Sequence, residues 1–379
     1  MGPASMSKPI LPPATIGIIG GGQLGRMLAL AARAMGYRIG VLEPTPDSPT
    51  GQVADFQITA EYNDRGALSE LAQRSDVLTY EFENVDLDAL AAVADIVAVP
   101  QGTELLHITD DRVREKTFLK QHGLPVTPFA PVSDGADLAG AVGAIGYPSI
   151  LKTTSGGYDG HGQVDLNSSA DLAAAAHLLQ QAPCILEARQ QFDRELSVMV
   201  TRDGRDQVRI FPIVQNQHAH HILHTTIAPA PDLTPALQKT VQHVATVIAR
   251  ELNLRGVLGI ELFARGDQIM VNELAPRPHN SGHYSIEACN VSQFAAHILS
   301  ICGLPIPPIT QYAPAVMRNL LGSDLPAALQ QWPQHPEWHL HDYGKAAVRP
   351  GRKMGHITVV GTDVEKLLTS IQLEANIDD

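Results

Sequence analysis

Short apolar runs alternate with helical periodicity through the first hundred residues of this chain. Thr15 to Gly20 and Arg38 to Glu43 are apolar runs of the kind that forms parallel strands buried on both faces. Between them, apolar residues recur at helical spacing to about Gly36. Two further runs, Asp76 to Glu81 and Ile96 to Val99, predict more strands. The pattern therefore predicts an α/β fold that opens with a parallel sheet.

The following apolar patterns predict a smaller unit. A helix from Thr109 to His122 comes first, with acidic residues before basic ones, as the helix dipole favours. Another helix is predicted at about Ala136 to Ile145. Strands are predicted at Tyr147 to Lys152 and at Ala182 to Ala188.

A larger unit fills the rest of the chain. Its best-marked helix is capped by Thr234, begins at Pro235 and runs to about Leu252. The other predicted elements are strands at Phe192 to Val200, Val208 to Val214, Val257 to Ile260 and Gln268 to Val271, and a helix from Val291 to Cys302.

Two neighbouring strands of the larger unit end in acidic and amide side chains. Glu261 follows one strand, and Asn272 and Glu273 follow the next, after the turn-forming Arg265 to Asp267. Antiparallel pairing would bring the carboxylates together, and Mg²⁺ prefers such oxygen ligands, with water and phosphate completing its shell. A hairpin with solvated acids is the alternative. A dense polar run behind the hairpin favours the metal site, and it consists of Arg277, His279, Asn280, Ser281 and His283.

A glycine-rich turn, Gly20 to Arg26, joins the first predicted strand to its helix. Glycines at such a turn let backbone N–H groups approach an anion at the helix N-terminus. One interpretation is a dinucleotide site, with Glu43 where a ribose-binding acid would lie. The other is a turn without a dinucleotide, because similar turns occur in many folds. Glu81 to Asn84 follow a later strand, at the sheet edge where such folds bind ligands.

A second glycine-rich segment follows Lys152 at the end of its predicted strand. Residues 153–163, TTSGGYDGHGQ, contain four glycines and predict a mobile flap able to fold over polyphosphate. The segment is not a P-loop, since no Gly-Lys-Ser/Thr opens a helix here. A plain flexible hairpin is the alternative. Arg112 and Lys116 share one face of the preceding helix, and for these two a solvated face is the alternative to a functional one.

Further polar residues stand near strand ends in the second half. Glu187 could receive an adenine amino group or ribose hydroxyls, and Glu195 stands where the next strand begins; solvated acids are the alternative for both. The histidine-rich segment 215–224 allows a transition-metal site, although only His220 and His224 have helical spacing. Residues 342–358 form a basic patch that could hold a substrate phosphate or be a solvated turn. Its basic residues are Lys345, Arg349, Arg352, Lys353 and His356.

Composition limits the class of protein. The 379 residues carry 40 acidic and 27 basic side chains, a formal net charge of −13, which argues against non-specific nucleic-acid binding. No apolar run reaches the roughly 18 residues that span a bilayer, and no signal-peptide pattern is present. Cys184, Cys289 and Cys302 have neither metal-ligand nor disulfide-framework spacing. We therefore expect a cytoplasmic protein, without membrane or nucleic-acid partners, whose phosphate site is a local basic pocket.

Six motifs occur in order along nearly the whole chain. They are Gly20 to Arg26, Tyr80 to Val85, Gly157 to Gly160, Arg194 to Ser197, Asn272 to Tyr284 and Gly351 to His356. Together with Lys152, Glu187 and Glu261, they resemble the ATP-grasp superfamily and, within it, the N5-carboxyaminoimidazole ribonucleotide synthetases of purine biosynthesis.

The resemblance implies a three-domain enzyme. Its parts would be an N-terminal Rossmann-like substrate domain (1–105), a small central ATP-grasp subdomain with the flap (106–190) and a C-terminal ATP-grasp domain (191–379). The implied activity is ATP-dependent carboxylation of aminoimidazole ribonucleotide with bicarbonate, through carboxyphosphate and with Mg²⁺. The resemblance also suggests a homodimer.

The resemblance assigns roles residue by residue. The catalytic group would be Lys152, Tyr158, Asp159, Arg277 and His279. ATP would contact Arg112, Lys152, Gly157, Tyr158, Asp159, Gly160, His161, Gly162, Gln163, Glu187, Ala188, Arg189, Gln190, Glu195, His218, Asn272 and Glu273. The ribonucleotide would contact Gln23, Leu24, Glu81, Arg277, Asn280, Ser281, His283, Lys345, Arg352 and Lys353. Mg²⁺ would be held by Glu261 and Glu273.

The sequence departs from the family pattern at some positions. His161 stands where a permanently charged base is common, which would weaken the hold of the flap on phosphate. Gln215 precedes Asn216 where Glu-Asn is expected. Two rival functions remain. One is a sister ATP-grasp ligase, such as a formate-using transformylase or a biotin carboxylase, which would differ around residues 277–283. The other is a non-catalytic nucleotide-binding or NAD-linked protein.

Overall fold

The computed structural model describes residues 8–83, 85–156 and 162–373. Its N-terminal elements are β1 (Thr15–Ile19), α1 (Gln23–Ala34), β2 (Arg38–Leu42), β3 (Phe56–Ile58), α2 (Arg65–Gln73), β4 (Val77–Tyr80) and α3 (Leu87–Val93). The strands pair in parallel in the order β3-β2-β1-β4. The predicted α/β fold with an N-terminal parallel sheet is confirmed.

The central elements form a separate antiparallel sheet. They are α4 (Glu104–Thr109), α5 (Arg112–Gln121), β5 (Phe129–Val132), α6 (Gly135–Ile145), β6 (Ser149–Thr153), β7 (Gln163–Leu166), α7 (Leu172–Leu179) and β8 (Cys184–Ala188). The strand order is β5-β8-β6-β7. Helices α6 and α7 cover this sheet and enclose a core of its own, with Leu138, Leu151, Leu166 and Leu186 at its centre.

The remaining strands form one long antiparallel sheet. They are β9 (Arg194–Arg202), β10 (Val208–Ile210), β11 (Val214–Ala219), β12 (Ile222–Ala228), β13 (Val257–Arg265), β14 (Gln268–Ala275), β15 (Ala315–Leu321), β16 (His339–Asp342) and β17 (Lys353–Val360). The order is β14-β13-β9-β11-β12-β15-β17-β16, with β10 paired to β9. The helices are α8 (Pro235–Glu251), α9 (Ser285–Ala288), α10 (Gln293–Ile301), α11 (Asp324–Gln331) and α12 (Val364–Ser370).

Helix α8 follows the sequence prediction closely. The Thr234 hydroxyl accepts a hydrogen bond from the Leu237 N–H group, and Pro235 occupies the first turn, where no N–H donor is needed. Its apolar stripe, which includes Val241 and Ile248, packs into the core behind β9, β13 and β14. Burial of each such side chain contributes about 1.5–3 kcal/mol, so this helix stiffens the sheet that carries the acidic hairpin.

Three predicted elements differ from the structure. Residues 96–99 form no strand, because Ala98 makes only an isolated bridge to Val77. The strand predicted over 208–214 is divided into β10 and β11. The helix predicted from Thr109 begins at Arg112, because the Asp111 carboxylate accepts the N–H groups of Val113 and Arg114 and so caps it there.

Helix α10 joins the parallel sheet to the long sheet. Its Phe294, Ile298 and Ile301 lie in one buried cluster with Leu24 and Leu28 of α1. Since these side chains are at most 7% exposed, the two parts share a core rather than a solvated contact. In the part of the chain that the structure describes, no helix combines the length and apolar character needed to cross a membrane.

Candidate active site

A cleft of about 620 Å³ lies between the central sheet and the long sheet. Strands β6 and β8 line one side, and β9, β13 and β14 line the other. The predicted residues that line it are Arg112, Lys152, Gly162, Gln163, Glu187, Ala188, Arg189, Gln190, Glu195, His218, Glu261, Asn272, Glu273, Arg277, His279, Asn280 and Lys353. Gly157, Tyr158, Asp159, Gly160 and His161 of the flap lie outside the described residues, as does Asn84.

A buried carboxylate joins two lysines on the central side of the cleft. Oε2 of Glu187 lies 3.1 Å from Nζ of Lys152 and 3.5 Å from Nζ of Lys116. Lys152 reaches this position from β6 and Glu187 from the paired strand β8, whereas Lys116 enters from α5. The arrangement places two ammonium groups beside one carboxylate on this side of the cleft.

Lys116 is a site residue that the assignment from resemblance omitted. Its side chain is fully buried, and Nζ also donates to the main-chain oxygen of Asn272 at 3.2 Å. The spacing of Arg112 and Lys116 placed both on one face of α5, but a solvated face was equally compatible with that spacing. The structure shows that this face is turned inward, so the solvated alternative is wrong for Lys116.

Two lysines share one carboxylate in this cluster, so positive charge exceeds negative charge around Glu187. Burial lowers the pKa of Lys152, and the charges of Lys116 and Arg112 lower it further, although Glu187 opposes them. Burial alone would raise the pKa of Glu187, but the two ammonium groups hold it below its usual value. The carboxylate therefore stays ionised beside more cations than it can neutralise, which favours a bound polyanion.

The acidic hairpin brings the two carboxylates together as predicted, although they lie within β13 and β14 and do not follow the strands, because both strands continue further than expected. Glu261 of β13 and Glu273 of β14 are directly opposed across the antiparallel pair, with a register shift immediately after Glu261. Oε2 of Glu261 accepts from Nδ2 of Asn272 at 3.2 Å, and Oε2 of Glu273 lies 3.1 Å from Nη1 of Arg112. The hairpin is therefore not simply solvated, because both acids line the cleft opposite the lysine cluster.

These two carboxylates fit the hard oxygen ligands that Mg²⁺ takes. Among the residues that the structure describes, no group of three or more His, Cys, Asp or Glu is placed to hold a metal ion. A site with two protein carboxylates matches the way Mg²⁺ binds, with one or two carboxylates and the remaining positions filled by phosphate and water. The donor set thus suits a metal that arrives with a nucleotide.

The carboxylate of Glu261 is held ionised by its neighbours. Burial would raise its pKa, but the hydrogen bond and charge of His279, with the charge of His218 and the amide of Asn272, bring the pKa to about 2. Nε2 of His279 lies 3.2 Å from Oε1 of Glu261. On the same sheet, Nδ1 of His218 lies 2.7 Å from Oε2 of Glu195. Burial lowers the pKa of His218, but the hydrogen bond and charge of Glu195 outweigh it, so that pKa is raised.

An ion pair between distant parts of the chain lines the cleft. Nη2 of Arg277 lies 2.7 Å from Oε1 of Glu83, which follows β4 of the parallel sheet. Glu83 also lines the cleft. The sequence placed Glu83 at a ligand-binding sheet edge but gave no signal that Arg277, almost two hundred residues later, would be its partner.

Two residues of the predicted polar run lie behind the cleft instead of lining it. Ser281 is fully buried and bonds to Ser197 and to His279. His283 is 1% exposed, and Nε2 of Gln293 donates to its Nδ1 at 3.0 Å. Their predicted substrate contacts remain predictions, and the geometry observed here is that of supporting residues.

The glycine-rich turn is occupied by the protein's own carboxylates. Glu43 accepts from the Gly21 N–H group at 2.8 Å, and Glu81 accepts from Gly22 and from Gly25, the latter at 2.6 Å. These are the N–H groups that a dinucleotide pyrophosphate would need. The turn therefore stabilises the sheet edge around Glu81 instead of presenting free donors. Leu24 packs into the core shared with α10, and neither Gln23 nor Leu24 lines the cleft.

The predicted basic patch lies beside the cleft. Lys353 lines the cleft, while Lys345 and Arg352 do not. Nζ of Lys345 donates to the main-chain oxygen of Lys353 at 2.7 Å. Burial lowers the pKa of Lys345 to about 8, and the charges of Arg352 and Lys353 contribute. The charge of Glu81 opposes these shifts, so the patch consists of closely spaced positive charges near one carboxylate.

Known family models match three successive parts of the chain. Residues 13–110 match the ribonucleotide synthetase preATP-grasp domain, residues 117–294 match the ATP-grasp domain, and residues 315–370 match the phosphoribosylaminoimidazole carboxylase C-terminal domain. The fold and the cleft thus define a member of the ATP-grasp enzymes, which are ATP-dependent ligases.

Curated relatives and solved structures narrow the assignment. The N5-carboxyaminoimidazole ribonucleotide synthase of Bacillus subtilis is 46% identical over 355 residues, which are 93% of each chain. A crystal structure of such a synthetase in complex with ADP has a TM-score of 0.93 and 46% identity, covering 96% of this chain and 97% of the other. The enzyme from Aspergillus clavatus with ADP and 5-aminoimidazole ribonucleotide has a TM-score of 0.89 and 34% identity, with coverage of 95% and 96%. The chain belongs to the N5-carboxyaminoimidazole ribonucleotide synthase family.

Proposed function

We propose that this enzyme carries out the reaction of its family, and that the cleft residues bind the nucleotide, Mg²⁺ and the ribonucleotide. The reaction is ATP-dependent carboxylation of 5-aminoimidazole ribonucleotide with bicarbonate. A bicarbonate oxygen attacks the γ-phosphorus of ATP, ADP leaves, and carboxyphosphate forms. The substrate amine then attacks the carboxyphosphate carbon, phosphate leaves, and a proton is lost from nitrogen. The observation that carries the proposal is the cluster of buried cations that faces two opposed carboxylates across one cleft.

Phosphate binding is assigned to the cationic side of the cleft. Lys152, Lys116 and Arg112 would neutralise the triphosphate, because phosphoryl transfer depends mainly on positioning and on charge stabilisation. In the nucleotide-free protein, Glu187 balances part of their charge. The adenine and ribose would lie toward Glu187, Gln190 and Glu195, with His218 nearby.

The opposite side would hold Mg²⁺ through Glu261 and Glu273. When bound, this ion supplies charge neutralisation on the phosphates. Arg112 already contacts Glu273, so the same guanidinium can orient the carboxylate and approach the phosphates. Closure of the flap residues Gly157 to Gln163 would exclude water from the acyl phosphate.

The ribonucleotide is assigned to the end of the cleft between Arg277 and Lys353. Arg277, His279 and Asn280 line this end. Lys345 and Arg352 lie behind Lys353 and would add charge for the 5′-phosphate. Tyr158 and Asp159 are proposed at the carboxylation site on the family resemblance.

The experiment that tests the function is a measurement of ATP consumption with Mg²⁺ and bicarbonate, with and without aminoimidazole ribonucleotide. Strong stimulation by the ribonucleotide, with label from bicarbonate entering it, is the expected result. Turnover only with formate or with biotin would favour a sister ATP-grasp ligase. NAD(H) binding without ATP turnover would favour the non-catalytic alternative, although the glycine-rich turn offers its N–H groups to Glu43 and Glu81.

Further properties of the whole molecule are also proposed on the resemblance. The enzyme is proposed to be a homodimer in the cytoplasm, which sedimentation analysis and cell fractionation would test. The domain boundaries 1–105, 106–190 and 191–379 are supported by the sheets, since each sheet lies within one of these ranges. Limited proteolysis that cuts first near residues 106 and 190 would support them.

A further inference from the structure

Three buried polar side chains join the parallel sheet, the connector that follows it and the loop after β14. Oγ1 of Thr79 donates to Oε1 of Gln101 at 2.5 Å, and Nε2 of Gln101 donates to the main-chain oxygen of Pro276 at 3.2 Å. Nε2 of His297 lies 2.8 Å from the same threonine oxygen. Thr79 and His297 are fully buried and Gln101 is 6% exposed, so water does not compete for these hydrogen bonds. We call Thr79, Gln101 and His297 the amide clamp.

Main-chain groups at both ends fix the direction of the hydrogen bonds in the amide clamp. The Val257 N–H group can only donate, and it points at Nδ1 of His297 at 3.1 Å. Burial lowers the pKa of His297 to about 3, so the ring is neutral and its proton is on Nε2, facing Thr79. The Pro276 oxygen can only accept, so the side-chain nitrogen of Gln101 faces it and the side-chain oxygen accepts from Thr79. The three side chains therefore have one consistent set of hydrogen bonds.

The amide clamp holds the peptide group that joins Pro276 to Arg277. The oxygen of this peptide accepts from Gln101, and its N–H group donates to the Ala275 oxygen at 2.8 Å. Both polar atoms of the peptide are therefore bonded, and the ring of Pro276 fixes its own φ angle. Pro276 is buried, whereas the side chain of Arg277 reaches the cleft. The backbone that carries the guanidinium group is thus held from behind.

Two contacts connect the same two segments of the chain, one in the cleft and one behind it. In the cleft, Nη2 of Arg277 lies 2.7 Å from Oε1 of Glu83. Behind it, Thr79, which shortly precedes Glu83 in the chain, is linked through Gln101 to Pro276, the residue before Arg277. The side chains of Arg277 and Glu83 are 22% and 29% exposed, whereas the amide clamp is shielded from solvent. A ligand in the cleft therefore meets the ion pair and leaves the amide clamp untouched.

We propose that Gln101, held in place by Thr79 and His297, is a positioning residue that fixes Arg277 for the ribonucleotide. In the proposed function Arg277 contacts this substrate, and the inference rests on that role. The negatively charged substrate competes with Glu83 for the guanidinium group, and the buried contact at Pro276 keeps the backbone in place while the side chain changes its partner. Gln101 thereby acts on ribonucleotide binding and not on ATP binding, because the cations assigned to the triphosphate lie on other segments.

Helix α10 supports the same loop at a second point. Gln293 precedes His297 by one helical turn and lies on the same face of α10. Oε1 of Gln293 accepts from the His279 N–H group at 2.9 Å, and Nε2 of Gln293 donates to the His279 oxygen at 2.7 Å. Helix α10 also packs in the core that it shares with α1. The amide clamp therefore fixes the start of the loop 276–279, and Gln293 fixes its other end, both relative to that core.

Steady-state kinetics with a matched pair of glutamine variants tests the proposal. Gln101→Met keeps the side-chain length and removes the donor to Pro276. Gln311→Met is the control, because the side-chain nitrogen of Gln311 also donates to main-chain oxygens, those of Ala228 and Ala313. Gln311 is not among the described residues that line the cleft. The two variants therefore lose the same kind of hydrogen bond, and only one of them loses it next to Arg277.

The two substrates should respond differently to Gln101→Met. The KM for aminoimidazole ribonucleotide should rise about tenfold, because a small misplacement of a substrate-binding group is costly, while the KM for ATP stays within about twofold. Gln311→Met should leave both KM values within about twofold of the wild-type values. An unchanged KM for the ribonucleotide in Gln101→Met, or an equal rise in both KM values, would overturn the proposal, because a merely structural role does not distinguish the two substrates.

Hydrogen–deuterium exchange of the ligand-free full chain separates this inference from the proposed function, because it needs no substrate. Gln101→Met should speed exchange in the peptide that covers residues 277–283 by about tenfold, and Gln311→Met should not. Unchanged exchange there in Gln101→Met would overturn the proposal.

A failure of the proposed function is recognised separately. If the wild-type enzyme fails to carboxylate aminoimidazole ribonucleotide but Gln101→Met shows the faster exchange, the function is wrong and the support of Arg277 by Gln101 stands. If Gln101→Met does not fold, Thr79→Val replaces it, since valine keeps the shape of threonine and removes the hydroxyl that bonds to Gln101. The same selective rise in the ribonucleotide KM is expected, and its absence would contradict the proposal.

Discussion

The carboxylate of Glu187 lies 3.1 Å from the ammonium group of Lys152 and is 4% exposed, so the pair is largely shielded from water. Breaking a buried ion pair by removing one partner costs about 3–5 kcal/mol, because the other charge remains buried. Glu187→Gln leaves both Lys152 and Lys116 without their counter-ion. We expect its free energy of unfolding, without nucleotide, to fall by about 3 kcal/mol in urea denaturation.

The control for this variant is Glu70→Gln. Glu70 pairs with Arg74 at 2.8 Å on the exposed face of α2, and exposed pairs are worth well under about 1 kcal/mol. ATP with Mg²⁺ should recover part of the loss in Glu187→Gln because its phosphates pair with the two lysines. A loss no larger than that of the control would show that Glu187 is not the counter-ion.

Lys116 is predicted to bind nucleotide although it lies outside the conspicuous motifs. Lys116→Met keeps the side-chain length and removes the buried charge, so the KM for ATP should rise by about tenfold or more, which corresponds to about 1.4 kcal/mol. The KM for the ribonucleotide should change much less. Lys120→Met, at an exposed lysine of the same helix, is the control. Identical ATP KM values in the two variants would exclude Lys116 from the phosphate site.

The low pKa of Lys345 predicts how substrate binding depends on pH. With a pKa of about 8, its ammonium group is charged below that pH and loses its charge as pH rises through it. The kcat/KM for aminoimidazole ribonucleotide should therefore fall above about pH 8, because this parameter reports the free enzyme. The same fall should be absent from the ATP dependence. Lys345→Arg keeps its charge, so the fall should disappear; its persistence would assign the ionisation to another group.

Substitution of Gly20 tests whether the side chain of Glu81 stabilises the glycine-rich turn. Its φ is +108°, and a Cβ there would lie 2.4 Å from Cγ of Glu81. Gly20→Ala should lower the free energy of unfolding by about 3 kcal/mol, through backbone strain of about 1–3 kcal/mol and the displaced Glu81. Gly102→Ala is the control, since its φ is +69° and nothing lies within 4 Å of the added atom. If both variants lose the same stability, the contact with Glu81 does not matter.

The features that the sequence predicted correctly depend on residues that are close together in the chain. The turn at Gly266 fixes the pairing of its flanking strands, so the opposition of Glu261 and Glu273 followed from local spacing. The Thr234 cap was equally local. By contrast, residues 96–99 have the composition of a strand but lie at the sheet edge with a single bridge, a tertiary outcome that periodicity does not encode.

The features of the site that the sequence did not predict depend on contacts between segments that are distant in the chain. The depth of Lys116 depends on α5 packing against β14, and i,i+4 spacing alone does not say which side of a helix is buried. The partner of Arg277 is Glu83, from another sheet. The N–H groups of the glycine-rich turn looked available for a ligand because the sequence does not show that Glu43 and Glu81 fill them. The hydrogen bonds that join Thr226, Asn216 and Ser197 likewise depend on the alignment of neighbouring strands.

The core shared by α1 and α10 has a mechanical consequence. It holds the parallel sheet and the long sheet together through one shared hydrophobic core, whereas the central sheet has a core of its own. The cleft therefore lies between a unit that carries Glu261 and Glu273 and a separately packed unit that carries Lys152 and Glu187. On the proposed assignment, substitutions inside the central core, around Leu151, change the positions of the nucleotide-binding residues and leave the residues that contact the ribonucleotide unchanged. Selection could thus adjust affinity for the two substrates separately.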